Sequence, residues 1–164
     1  MDIIHAPWRM EYINSAGKND DEECIFCKYP KMRTDDENLI ISRGSHVFLM
    51  LNRYPYSSGH LMVVPYRHTS DFLTLTEDES LDLMKMSQSA VLVLKKEFKP
   101  DGFNLGINLG KVAGAGIDSH IHLHIVPRWN GDTNFMSVTA ETKVLPEALA
   151  VTWKRLSDSW NSLR

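Results

Sequence analysis

The chain has 164 residues, 43% of them hydrophobic, and a formal net charge of −3. This length and composition suit one globular domain with a core, and the small negative charge excludes a general electrostatic attraction to nucleic acid. No apolar run approaches the roughly 20 residues of a membrane-spanning helix, and the N-terminal residues show no signal-peptide pattern. We therefore expect a cytoplasmic protein with no membrane partner and no nucleic-acid partner.

The N-terminal region leads into the two cysteines of the sequence. Residues 1–23 mix aromatic and charged residues and predict a docked arm. Cys24 and Cys27 follow with the spacing C-x-x-C, which in a reducing compartment indicates metal or redox chemistry rather than a structural disulfide. A redox site would require a following helix, whereas Pro30 and its charged neighbours are poor helix material. A zinc ion held by this pair would need two further ligands from elsewhere.

Three strands are predicted before the first long helix. Two apolar runs, 39–41 and 47–51, flank a turn and predict a hairpin. A polar loop rich in proline and glycine follows, and the third strand begins at His60 and stops at Pro65. His68 lies in the loop after this strand.

The second half of the chain predicts two helices and two further strands. A capping box begins at Thr76, and the helix that it opens should run to about Lys99. A fourth strand at 103–108 leads into a loop of small residues, 110–116, whose backbone N–H groups can approach an anion closely. Beyond the fifth strand, an apolar stripe predicts a C-terminal helix that Pro146 opens.

Residues 119–129 contain three histidines at alternate positions, His120, His122 and His124. The alternation predicts a β-strand that directs all three imidazoles to one face and the intervening aliphatic residues into the core. Pro127 should end this strand or place it at a sheet edge. Two chemistries compete here. The histidines could chelate a metal, or one imidazole could act as a nucleophile on phosphorus while the others bind phosphate.

Short connections between the strands indicate an antiparallel sheet with helices mainly on one face, an α+β protein. In this setting the segment 120–126 resembles the histidine triad, H-x-H-x-H and two apolar residues, of the HIT superfamily of nucleotide-binding hydrolases and transferases. The segment 52–65 resembles the nucleotide-pocket hairpin of that family. The C-x-x-C pair and His68 match its zinc-bearing members. Residues 127–136 are similar to bacterial members of the diadenosine tetraphosphate phosphorylase or hydrolase type.

The resemblance implies a HIT-like fold, with a five-stranded antiparallel sheet, a long helix packed on it and a C-terminal helix. It implies a single HIT domain composed of an N-terminal arm (1–23), a core (24–130) and a C-terminal extension with a helix (131–164). It also implies a homodimer in which two sheets join edge to edge. Within the sequence, Leu81 and Leu92 lie on the outer side of the long helix, where they are either surface residues or a subunit contact.

The resemblance further implies an enzyme that cleaves dinucleoside polyphosphates through a covalent nucleotidyl-histidine, with phosphate or water as the acceptor. His122 would attack the α-phosphorus, and His124 would donate a hydrogen bond to a phosphate oxygen or to the leaving group. Ser119 would help to hold the developing negative charge. The remaining nucleotide-binding positions implied by the family are Asn52 for the ribose, Phe48 and Leu51 for the base, and Asn108, Gly114, Ala115 and Gly116 for the phosphates.

The same resemblance implies a Zn²⁺ site formed by Cys24, Cys27, His68 and His120. Four protein ligands leave no open coordination position, so this zinc is expected to be structural. Three alternatives remain open. The chain could be an adenosine phosphoramidate hydrolase, or a non-catalytic protein that binds adenine nucleotides. A metalloenzyme with all three triad histidines on one metal is the third, but it would leave the C-x-x-C pair unexplained.

Overall fold

The computed structural model describes residues 24–132 and 147–163. Its centre is a five-stranded antiparallel sheet in the order β1-β2-β3-β5-β4, which confirms the predicted α+β class. The strands are β1 (Ile40–Arg43), β2 (Val47–Leu51), β3 (Leu61–Pro65), β4 (Gly102–Ile107) and β5 (Leu123–Arg128). The helices are α1 (Ile25–Met32), α2 (Glu77–Phe98) and α3 (Leu149–Asn161), with short 3₁₀ turns at Phe72–Thr74 and Lys111–Ala113.

Alternating side chains divide the sheet into two faces. The face that we call the helix face packs under α2 and α3 and is lined by Val47, Leu49, Leu51, Leu61, Val63, Leu123 and Ile125. The opposite face, which we call the histidine face, carries Phe48, Met50, Met62 and Val64 and is partly covered by Phe26 from α1. Met62 pairs directly with His124, so this imidazole projects from the histidine face.

Helix α2 agrees closely with its prediction. The Thr76 side chain accepts a hydrogen bond from the Glu79 N–H at 3.1 Å, and the Glu79 carboxylate accepts one from the Thr76 N–H at 2.9 Å. The helix ends at Phe98 because Lys99 adopts a left-handed conformation with φ of 47°. Leu81 and Leu92 are 50% and 55% exposed, so they do lie on the outer side, and their role in a subunit contact stays a prediction.

Helix α3 places its predicted apolar stripe on the helix face, formed by Leu149, Trp153, Leu156 and Trp160. The Trp153 Nε1–H also donates to the Ile40 carbonyl at 2.8 Å, which joins α3 to β1. Pro146 and the predicted N-terminal arm lie outside the described residues. Within residues 24–132 and 147–163, no helix is long and apolar enough to cross a membrane.

The segment after Cys24 is a helix, so the interpretation of this segment as poor helix material is wrong. The Cys24 carbonyl accepts hydrogen bonds from the N–H groups of Cys27 and the residue after it, both at 2.9 Å. Pro30 lies inside α1, which ends where Arg33 adopts a left-handed φ of 56°. Burial of Phe26 against the histidine face offsets the hydrogen bond that proline cannot make. Cys24 is therefore the N-cap of this helix, and Cys27 lies within its first turn.

The strand predicted for the triad is shorter than expected, because β5 begins only at Leu123. Continued in register, β3 would place Pro65 opposite Ile121, and proline has no N–H for the ladder. The Ile121 N–H bonds instead to the Thr69 carbonyl at 2.8 Å. Pro127 does not end the strand, which runs on to Arg128 paired with β4.

Candidate active site and metal centre

The three triad imidazoles lie on one face, as predicted, although only His124 belongs to β5. The rings of His122 and His124 meet edge to face with centroids 4.7 Å apart. Phe26 lies between His120 and His122: its ring centroid is 5.4 Å from that of His120 and 5.0 Å from that of His122. Phe26 was missed in the sequence. Its signal was its place between the two cysteines, because a metal site shared by these cysteines and His120 would bring this residue to the triad.

His122 is buried and is oriented by the backbone of its own segment. Its Nδ1 lies 2.8 Å from the His120 carbonyl, which can only accept, so Nδ1 carries the proton of the neutral ring. The Nε2 lone pair is therefore available for attack. Burial lowers the pKa of His122 below its ordinary value, and this keeps the imidazole neutral at about pH 7.

His124 is oriented by a second buried histidine, His60. The Tyr56 backbone N–H donates to His60 Nδ1 at 3.0 Å, so the proton of a neutral His60 ring lies on Nε2. That Nε2 lies 2.9 Å from His124 Nδ1, which accepts the hydrogen bond and keeps the His124 proton on Nε2. His60 precedes Met62 by two residues, so strand alternation places both on the histidine face.

The residues predicted to bind zinc come together from three separate segments. Their ligand atoms, one from each of Cys24, Cys27, His68 and His120, all lie within 4.8 Å of one another. His120 Nδ1 is 3.4 Å from Cys24 Sγ, 3.6 Å from Cys27 Sγ and 3.2 Å from His68 Nδ1. A tetrahedral zinc with normal bond lengths would separate such atoms by roughly 3.3–3.8 Å. The donor set and its spacing therefore fit a tetrahedral metal site.

The hydrogen bonding of His120 supports its role as a ligand. Its Nε2 donates to the Pro65 carbonyl at 2.9 Å, which leaves the Nδ1 lone pair directed toward the two sulfur atoms. Backbone carbonyls commonly orient metal-binding histidines in this way. Burial lowers the pKa of His120 to about 4, so the ring stays neutral and able to coordinate. His120 therefore contributes to both sites: its ring belongs to the candidate metal site, and its carbonyl orients His122.

Of the two residues predicted to bind the base, one lies on the opposite face of the sheet from the triad. Leu51 is fully buried in the core of the helix face, on the side of the sheet opposite to the triad, so its assignment to the pocket is wrong. Phe48 lies on the histidine face but is also fully buried, beneath Tyr66 at a centroid distance of 5.3 Å. The role of Phe48 at the base stays a prediction.

Asn52 lies directly after β2, in the hairpin that also carries His60. Its Oδ1 accepts the Tyr54 N–H at 2.9 Å, and its Nδ2 lies 3.4 Å from His60 Nδ1. Asn52 is half-buried, and its role at the ribose stays a prediction.

The predicted phosphate loop is a tight, exposed turn between β4 and the triad. Gly110 and Gly114 have φ of 81° and 88°, which explains why glycine suits both positions. Asn108 Nδ2 donates to the Gly114 carbonyl at 3.4 Å and so closes the turn. Ala115 and Gly116 are half-buried behind it, and Ser119 is exposed just before His120. Phosphate binding by this loop stays a prediction.

The fold and the site define a class: an α+β protein with a buried, oriented imidazole beside a cluster of two cysteines and two histidines. Residues 33–131 match the model of the HIT domain, which covers more than half of the chain. The chain therefore belongs to the HIT family.

Two curated relatives and one solved structure extend the comparison. The chain is 42% identical over 163 residues to the AP-4-A phosphorylase of Mycobacterium tuberculosis, covering 96% of this chain and 83% of that protein. It is 36% identical over 81 residues to the bis(5'-adenosyl)-triphosphatase of Dictyostelium discoideum, covering 49% and 54%. A Zn-bound histidine triad family protein from Mycobacterium smegmatis superposes with a TM-score of 0.69 at 25% identity, covering 86% of this chain and 95% of that one.

Proposed function

We propose that this HIT protein is an enzyme that cleaves dinucleoside polyphosphates of the diadenosine tetraphosphate type by nucleotidyl transfer. The observation that carries the proposal is the 2.8 Å contact between His122 Nδ1 and the His120 carbonyl, which leaves the Nε2 lone pair of a buried imidazole available for attack. The similarity to an AP-4-A phosphorylase along nearly the whole chain supports this substrate class.

In the first step, His122 Nε2 attacks the α-phosphorus, and the bond between that phosphorus and the bridging oxygen breaks. The remaining nucleoside polyphosphate leaves as an anion, and the nucleotide stays bonded to His122. In the second step, an oxygen of phosphate or water attacks the same phosphorus and releases His122. Phosphate as acceptor yields a nucleoside diphosphate, and water yields a nucleoside monophosphate.

His124 is the proposed donor to the phosphate oxygens or to the leaving group, because His60 holds the His124 proton on Nε2. Ser119 and the turn formed by Asn108, Gly114, Ala115 and Gly116 are proposed to surround the phosphates. Asn52, in the hairpin that also carries His60, is proposed to bind the ribose. These assignments rest on the family resemblance.

We propose that the metal is zinc, with a structural role, at Cys24, Cys27, His68 and His120. The soft thiolate and imidazole donors favour zinc, and the Zn-bound relative from Mycobacterium smegmatis supports the choice. Such an ion would join α1, the loop after β3 and the triad segment. The thiolates that it requires persist in a reducing compartment, which agrees with the predicted cytoplasmic location.

A homodimer is the proposed assembly, formed through the edge of the sheet. Strand β4 is the last strand of the described sheet, and Leu105 and Leu109 lie exposed on it or just after it. Exposed edge strands with apolar side chains favour pairing with another chain. Light scattering on the wild-type chain and on Leu105→Lys tests this, and a monomeric wild-type protein would contradict it.

The acceptor is decided by incubating the protein with diadenosine tetraphosphate, with and without phosphate, and separating the products. Formation of ADP and ATP only in the presence of phosphate identifies a phosphorylase. Formation of AMP and ATP in water alone identifies a hydrolase. Binding without either product, together with cleavage of an adenosine phosphoramidate, would replace the proposal with the phosphoramidate hydrolase. Binding without any cleavage would favour a non-catalytic adenine-nucleotide-binding protein.

A further inference from the structure

One metal-binding residue lies where the fold gives it little support. His68 is exposed, in the loop of residues 66–76 that connects β3 to α2, and the 3₁₀ turn Phe72–Thr74 is the regular structure in that loop. An exposed loop loses considerable conformational entropy when it is fixed. His68 Nδ1 nevertheless lies 3.3 Å from Cys27 Sγ. The loop must therefore be held in place by contacts of its own.

Arg67, the residue before His68, provides the densest set of these contacts. Its Nε donates to Glu79 Oε1 at 2.8 Å, and its Nη2 donates to Glu79 Oε2 at 2.7 Å. The same Nη2 donates to the Thr74 carbonyl at 2.7 Å. A planar guanidinium makes this two-bond contact with a carboxylate, whereas a lysine ammonium cannot reproduce it. Arg67 thus fastens the start of the loop to its end and to the first turn of α2.

Glu79 anchors this contact to the core. The residue is only 5% exposed, and Oε2 also accepts the Thr76 N–H at 2.9 Å in the capping box. Leu83, one turn further along α2, is buried in the helix face. The carboxylate is therefore a fixed point, and water has little access to compete for it.

The opposite side of the loop contacts the triad directly. The Thr69 carbonyl accepts the Ile121 N–H at 2.8 Å, and Ile121 separates the metal-binding His120 from His122. The Thr69 and Thr74 hydroxyl groups lie 3.1 Å apart, so this part of the loop is tied to the segment that Arg67 holds. A displacement of the loop would therefore reach both the metal site and the backbone of the triad.

We propose that Arg67 and Glu79 are positioning residues that hold His68 at the metal and the Thr69 carbonyl at Ile121. The pair connects α2, which packs on the helix face, to the metal ligands and the triad segment on the histidine face. The proposal rests on the proposed zinc site and is independent of the substrate.

The chain offers a matched control at the other end of the same helix. Arg155 Nε donates to Glu97 Oε2 at 3.1 Å, and Arg155 also bonds to the Glu97 carbonyl, far from the metal site. The test variants are Arg67→Lys and Glu79→Gln, and the control variants are Arg155→Lys and Glu97→Gln. Glutamine can still complete a capping box, so Glu79→Gln removes the charge while keeping the helix start.

Three quantities are measured on each zinc-loaded protein: the rate of zinc release to a chromophoric chelator, the hydrogen-exchange rate of the Ile121 amide, and the melting temperature. Both test variants should release zinc about tenfold faster, as is typical when a residue that supports a metal ligand is changed. They should also exchange the Ile121 amide faster. The control variants should lose a comparable amount of thermal stability with neither change.

The proposal is overturned if both test variants release zinc and exchange the Ile121 amide at wild-type rates. Their loss of melting temperature would then reflect an ion pair that contributes to stability alone. A wild-type protein that takes up no zinc would overturn the metal site and this proposal together. The diadenosine tetraphosphate assay on wild-type protein judges the proposed activity separately, so the two failures can be told apart.

Discussion

The two faces of the sheet are built from the same strands but differ in composition and in cover. The helix face is aliphatic and lies under two long helices, with side chains such as Leu49 and Ile125 fully buried. The histidine face has Phe26 and methionines around four imidazoles, under the short helix α1. Its buried imidazoles are partnered: His120 with the Pro65 carbonyl and His122 with the His120 carbonyl.

The difference shows how a small domain separates stability from chemistry. Burial of aliphatic side chains stabilises the fold on one face, with no directional requirement. Polar groups on the other face must be satisfied one by one, and each satisfied pair also fixes a tautomer. Because neighbouring strand residues point to opposite faces, a single substitution should affect mainly stability or mainly turnover.

The largest difference between the effect on turnover and the effect on stability is expected for His122→Asn on the histidine face. Loss of the nucleophile should reduce turnover of diadenosine tetraphosphate by at least about a thousandfold. Asparagine can still donate to the His120 carbonyl, so the free energy of unfolding should change by less than about 1 kcal/mol. Steady-state kinetics and urea denaturation measure the two effects. Retained turnover would remove the covalent mechanism.

Cys24→Ser, on the histidine face, should lower both the metal content and the stability, because the proposed metal joins α1 to the triad segment. A serine hydroxyl is a poor zinc ligand, so metal analysis should find well below one zinc ion per chain. The melting temperature should fall, since metal binding contributes directly to folding. His122→Asn is the control and should keep its zinc. Full zinc occupancy in Cys24→Ser would contradict the assigned ligand set.

The sequence was sufficient for elements in which local pattern and tertiary environment agree. The capping box at Thr76 and the helical spacing after it predicted α2 closely. Alternation correctly placed the triad imidazoles on one face. Helix α1 escaped prediction because the burial of Phe26 outweighs the presence of Pro30, and that burial depends on residues far along the chain.

Two further differences arise from contacts between strands. The triad segment loses its strand pairing because Pro65 would face Ile121, and the sequence alone does not reveal that register. Leu51 was misassigned because all five residues of β2 are buried, so no alternation of polar and apolar residues distinguishes the faces. The four metal ligands, from three segments, were identified by family resemblance rather than by spacing.

Leu51→Ala tests the corrected position of this residue and probes the helix face. Removal of a fully buried leucine should lower the free energy of unfolding by about 2–5 kcal/mol. The KM for diadenosine tetraphosphate should not change, because the side chain lies on the other side of the sheet. Leu92→Ala, at an exposed position of α2, is the control and should cost less than about 0.5 kcal/mol. A raised KM with unchanged stability would restore Leu51 to the pocket.

The smallest effect is expected where the two faces are joined, at Arg67 and Glu79. Hydrogen bonds from Arg67 lower the pKa of Glu79 from 4.5 to about 2. The folded-state pKa lies below the unfolded value, so this carboxylate stabilises the fold above about pH 4.5, and the contribution is lost as the pH falls toward about 2. The difference in unfolding free energy between wild type and Glu79→Gln should therefore be constant above about pH 5 and shrink below it. Urea denaturation at a series of pH values measures this difference, and Arg67→Lys should weaken the same acid dependence. A difference that does not vary with pH would show that the ion pair does not link stability to the protonation of Glu79.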